Sequence, residues 1–101
     1  MTYELREYSV VPGQMNYLIS RFEADSIPLM SKYGMEGVGY WVTREKEPRL
    51  VYVVRHKGDP SQAWQSFYAD EAWLAVLADP RIEGSVTSVK STMLDQLPGL
   101  R

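Results

Sequence analysis

Between Arg49 and His56 the chain runs Arg-Leu-Val-Tyr-Val-Val-Arg-His, and from Leu50 to Val54 it offers no polar side to water. Read as a strand, it alternates Leu50, Tyr52, Val54 and His56 with Val51, Val53 and Arg55. A sheet wet on one face alternates apolar with polar residues. This strand is apolar on both faces, so both need cover. Just upstream, Gly37-Val38-Gly39-Tyr40-Trp41-Val42 has the same character, and the polar Lys46-Glu47-Pro48 separates the two runs. They are predicted as a hairpin in the middle of a sheet. Simple alternation puts Gly37, Gly39 and Trp41 on one face and Val38, Tyr40 and Val42 on the other. Two glycines on one face weaken a strand unless a ring, a helix or a ligand lies against them.

The flanking segments supply the rest of a domain. Tyr3 to Val10 reads as a first strand, with Tyr3, Leu5 and Glu7 on one side and Glu4, Arg6, Tyr8 and Val10 on the other. Charge on both sides predicts a strand more exposed than the central pair. Pro12-Gly13 ends it. Met15, Leu18, Ile19 and Phe22 mark the buried face of a helix from Gln14 to Tyr33. Pro28 predicts a kink or a second short helix, with Ser26 as its cap and Gly34 as a left-handed stop. Asp59-Pro60 opens the next helix. Its apolar face carries Ala63, Trp64, Phe67 and Tyr68, and Asp70 restarts it toward Trp73, Leu74 and Leu77 until Asp79-Pro80 ends it. Ile82 to Leu94 holds a fourth strand whose apolar residues do not alternate cleanly.

The order is β-α-β-β-α-β. Right-handed crossovers place both helices on one face of a four-stranded antiparallel sheet, a ferredoxin-like α+β arrangement. The other face then needs a partner. Each buried large apolar side chain contributes roughly 1.5–3 kcal/mol, and a second copy pressing its own sheet against the first is the simplest cover. The alternative cover is the C-terminal tail, which is short and polar. The 101 residues fit a single domain, residues 1–101.

Composition removes several functions. The net charge is −2 and no basic cluster occurs, which leaves nucleic-acid binding without electrostatic support. With no cysteine there is no disulfide, thiolate nucleophile or zinc–thiolate site. A lone histidine without clustered carboxylates argues against a metal, and no residue pattern calls for a cofactor. No apolar run approaches the ~18 residues of a membrane span, and Met1 to Arg6 has no apolar signal region. A cytoplasmic protein is expected.

Candidate chemistry is sparse. His56 at a strand end reads as a general base or an axial haem ligand, set against the plainer role of a partly exposed strand-end residue. Arg6 and Tyr8 share a strand face, where Arg6 is placed to neutralise a substrate carboxylate and Tyr8 to donate a hydrogen bond. The alternative is a simple ion pair of Arg6 and a packed Tyr8. Tyr40, Trp41 and Tyr52 are candidates to line an apolar ligand pocket between helix and sheet, with the core as the alternative. Trp64, Phe67 and Trp73 are read as core or dimer residues.

Tyr3-Glu4-Leu5-Arg6-Glu7-Tyr8 followed by Pro12-Gly13, then Tyr33-Gly34, Gly39-Tyr40-Trp41, and Trp64-x-x-Phe67 leading to Asp70-x-x-Trp73 together resemble the NIPSNAP family. The resemblance runs from Tyr3 to about Leu94. Lys90 to Leu97 departs from it, lacking an Arg-Pro ending. It implies a ferredoxin-like subunit that pairs into a dimeric α/β barrel, and it implies no particular reaction. Two functions follow as expectations: a homodimer binding a small apolar or aromatic ligand, or a cofactor-independent monooxygenase or isomerase using Arg6, Tyr8 and His56.

Overall fold

The computed structural model describes residues 2–100. The elements are β1 (Thr2–Val10), α1 (Met15–Arg21), a π-helical turn (Phe22–Ser26), α2 (Ile27–Lys32), β2 (Met35–Val42), β3 (Arg49–His56), α3 (Pro60–Ala69), α4 (Glu71–Leu77), α5 (Pro80–Glu83) and β4 (Val86–Asp95). The four strands form one antiparallel sheet in the order β2-β3-β1-β4. This is the expected ferredoxin-like β-α-β-β-α-β fold. Its core gathers Leu18, Phe22, Leu29, Met30, Met35, Leu50, Tyr52, Val54 and Phe67 between helices and sheet.

The order corrects one expectation. Within the hairpin only β3 is interior; β2 is an edge strand, and the charged β1 sits between β3 and β4. Glu4 and Arg6, expected on an exposed strand, are both buried. They tolerate this because each satisfies the other's charge.

Register explains the glycines. Gly37 lies opposite Val54 but Gly39 lies opposite Val53, so a bulge inserts Val38 between them. Gly37 therefore faces the helices with Tyr40, while Gly39 faces the other way with Trp41. Simple alternation had put Gly37, Gly39 and Trp41 on one face. The groups laid over the glycines are rings of the same strand. A Cβ on Gly37 would collide with the Tyr40 hydroxyl oxygen, and one on Gly39 would stand 2.5 Å from the Trp41 ring. A second bulge, at Thr87, explains the broken alternation of β4: Val10 pairs with Val86, whereas Ser9 pairs with Ser88. Ile82, expected within the last strand, belongs to α5.

The helical termini follow local chemistry. Asp59, Asp70 and Asp79 each accept a backbone N–H in the first turn of α3, α4 and α5. Gly34, at φ +75°, closes α2 in the left-handed region. Ser26 does not cap α2. It is helical and makes no capping bond, because the chain passes without a break from α1 through the π-helical turn. Pro28 lacks the N–H an α-turn would use, and the wider turn just before it absorbs that defect.

One sheet face lies under the helices. The other carries Tyr3, Leu5, Val51 and Val53 at its centre, with Trp41 54% and Leu94 37% exposed toward its edges. After β4, Gln96, Leu97 and Leu100 border a shallow hollow on this open face with Tyr3 and Val53.

Candidate functional site

Helix-facing side chains from adjacent strands stand side by side, so the β1 series Glu4, Arg6 and Tyr8 lies beside Val54, Tyr52 and Leu50. Two central strands thus bring an acid, a base and two phenols together beneath α3. Glu4 is the hub. Its Oε1 accepts from His56 Nε2 at 2.7 Å and from Trp64 Nε1 at 2.8 Å. Its Oε2 accepts from Ser91 Oγ at 2.6 Å and from Arg6 Nη1 at 3.0 Å. Burial by itself would raise the Glu4 carboxyl; the donors Ser91, Trp64, His56 and Arg6 outweigh it and hold the group below the ordinary carboxylate range.

Arg6 reaches past Glu4 toward the helices. Its Nε donates to the Tyr52 hydroxyl at 2.8 Å, and its guanidinium lies 4.1 Å from the centre of the Trp64 ring. Burial opposes the charge, but the oxygens of Tyr8, Tyr52 and Glu4 more than offset it, so Arg6 stays cationic. Nη2 is held more loosely, 3.4 Å from the Tyr8 oxygen and 3.5 Å from the Tyr68 oxygen. The Tyr8 and Tyr52 hydroxyls lie 2.8 Å apart. Desolvation first, and then the neighbouring Tyr8, push the Tyr52 phenol well above its usual range, so it remains protonated.

Arg6, Tyr8, Tyr52 and Tyr68 form one end of a cavity of about 220 Å³ between helices and sheet. Its other walls are apolar apart from Ser26, chiefly Phe22, Met30, Trp64, Phe67, Trp73 and Val86. Leu77, about half exposed like Val89, joins it at the rim. Seven aromatic rings contribute to the lining, enough to present flat faces on several sides.

Of the residues singled out in the sequence, Arg6, Tyr8 and Tyr52 meet at this cavity. Tyr40 stacks on Tyr52 at 5.7 Å but lines a smaller neighbouring hollow with Phe22 and Leu50. Trp41 is not a pocket wall: opposite Val51 it lies on the other face of the sheet. His56 is buried rather than partly exposed, and its Nε2 is committed to Glu4 away from the cavity lining. Sequence reasoning missed Glu4, Tyr68 and Ser91 as partners. Glu4 was visible on the same strand face as Arg6 and Tyr8; Tyr68 and Ser91 carry no local signal. Trp64 and Trp73, read with Phe67 as core or dimer residues, pack against the core and also line the cavity.

A ferredoxin-like α+β subunit with an aromatic cavity between its helices and its sheet is the class that fold and site define. The NIPSNAP family model matches residues 3–98, and the chain belongs to that family. It is similar to an uncharacterised NIPSNAP domain protein from Burkholderia xenovorans, at 17% identity over 100% of this chain and 99% of that one, with a TM-score of 0.84. A NIPSNAP family protein of unknown function from Agrobacterium tumefaciens is 22% identical over 93% of this chain and 86% of that one, with a TM-score of 0.79. An antibiotic biosynthesis monooxygenase shares the fold at 11% identity over 97% of this chain and 100% of that one, with a TM-score of 0.64. A search of curated proteins returns no match. Among the described residues no helix is long and apolar enough to cross a membrane.

Proposed function

We propose that this protein binds a small, mainly aromatic ligand in the helix–sheet cavity and works as a cytoplasmic homodimer joined through the open sheet face. The observation carrying the ligand reading is the convergence of Arg6, Tyr8, Tyr52 and Tyr68 on one end of a mostly apolar cavity of about 220 Å³. Binding sites combine mostly apolar walls with a few placed polar groups in this way. An apolar cavity of about 150 Å³ already accepts benzene, so one or two rings fit here. The dimer reading is supported by Leu5, Val51, Val53 and Trp41 on a face that the helices leave uncovered. Calorimetric titration with a panel of one- and two-ring aromatics tests the ligand reading. Saturable binding by part of the panel is expected, and Val89→Phe, which fills the rim, abolishes it without lowering the melting temperature. No heat from any member would overturn the reading.

The second reading is a cofactor-independent monooxygenase or isomerase. It draws on the same donors: Arg6, Tyr8 and Tyr52 are placed to stabilise negative charge developing on a ligand oxygen. His56 is poorly placed as its base, since Glu4 occupies Nε2. Oxygen uptake with a hydroquinone substrate tests it. Turnover should fall in Tyr8→Phe, and uptake no faster than in buffer removes the oxygenase form.

A further inference from the structure

Resting on the ligand reading above, the charge balance at the polar end of the cavity narrows the ligand further. We infer that the cavity selects an uncharged ligand carrying a single hydroxyl or carbonyl oxygen, bound at Arg6 Nη2, and rejects the corresponding carboxylate.

Arg6 alone invites the opposite conclusion, because a guanidinium at the end of an apolar pocket ordinarily receives a carboxylate. Here its charge is already answered. Glu4, 1% exposed, sits 3.0 Å from Nη1 and receives three further donors. The Nε side is taken by Tyr52. The Glu4–Arg6 pair is therefore neutral as a whole. A ligand carboxylate would bring an uncompensated negative charge into a site where burial makes such charge expensive.

A neutral oxygen meets no such penalty. At 3.4 and 3.5 Å the contacts of Nη2 with Tyr8 and Tyr68 are near the outer limit of hydrogen bonding, so this nitrogen has donor capacity to spare. The Tyr8 and Tyr68 hydroxyls beside it can donate as well as accept. A phenol or ketone oxygen between them gains from all three. The remaining aromatic walls suit a ring bearing that oxygen.

Three probes of matched shape decide the matter: ethylbenzene, para-ethylphenol and para-ethylbenzoate, titrated into the intact protein near neutral pH by calorimetry. The phenol should bind most tightly, at least about tenfold tighter than the benzoate, with ethylbenzene weaker than the phenol. Glu4→Gln, which leaves the Arg6 charge unanswered, should reverse the order of phenol and benzoate. Benzoate binding as tightly as phenol in the wild type would overturn the inference while leaving the cavity as a ligand site. So would ethylbenzene binding as tightly as phenol, since the oxygen would then be idle. Silence from all three overturns this inference, and the ligand reading falls with it only where the whole aromatic panel is silent as well. The wild-type comparison decides even where Glu4→Gln fails to fold; a folded Glu4→Gln protein that keeps the wild-type order also overturns the inference.

Discussion

A single carboxylate organises the interior of the sheet. Glu4 holds four side chains from three other elements and from its own strand, and it is the counter-charge for Arg6. Removing one member of a buried pair leaves the other charge stranded, and this is far more damaging than removing both. Glu4→Gln is therefore expected to lower unfolding free energy by about 3–5 kcal/mol, and Glu4→Gln with Arg6→Met by clearly less. Urea denaturation of the two variants checks this, and equal losses would show that the pair is not coupled. The alternation of β1 already placed Glu4, Arg6 and Tyr8 side by side in the sequence. What the sequence hid was burial. A strand with charge on both sides reads as exposed, and beside the Arg6 pair it takes the donors Trp64, His56 and Ser91, 52 to 87 residues away, to make an interior position tolerable.

At the level of elements, the helical layer is fastened to itself by carboxylates that do two jobs each. Asp70 caps α4 through Ala72 and reaches back to the end of α2, accepting from Lys32 Nζ at 2.7 Å and from the Tyr33 hydroxyl. Asp79 likewise caps α5 and accepts from Tyr17 of α1 at 2.6 Å. Lys32 first, then Tyr33 and the Ala72 N–H, lower the Asp70 carboxyl to about 2, from roughly 3.9 in an unfolded chain. A depressed folded value means the stabilisation is complete above the unfolded value and is lost as pH falls toward the folded one. Asp70→Asn keeps a good cap but loses the ionic contact. Its melting temperature should lie below wild type at neutral pH and converge with it by about pH 2. A constant gap across that range would assign the effect to something other than the carboxylate charge. The helix starts at Asp59 and Asp70 and the Gly34 stop were legible because each is a local signal, whereas Asp79, read with Pro80 as the end of a helix, caps α5 instead. The bulges at Val38 and Thr87 were not legible: a bulge is defined by the partner strand, so strict alternation misassigned Gly37 and left the register of β4 open.

For the whole molecule, the two-faced character of β3 was the most informative thing the sequence held. It led to the ferredoxin-like order and to the uncovered face, because both follow from periodicity and crossover handedness. The cavity was legible only in part, since its walls come from helices whose aromatic stripes look the same whether they fill a core or line a space. Sedimentation should find the protein as a dimer at micromolar concentration. Val53→Lys at the centre of the open face should yield a folded monomer with an unchanged circular dichroism spectrum. A wild-type monomer at that concentration would remove the dimer reading. The residues after β4 add a constraint of their own. Leu97 and Leu100 lie beside Tyr3 and Val53, where an arriving copy would land. On the proposed dimer reading the tail is a rival for that docking ground, and pairing is expected to be weaker by the fraction of molecules in which the rival is seated. A version ending at Asp95 should pair more tightly than the full chain, by whatever factor the rival had been withholding.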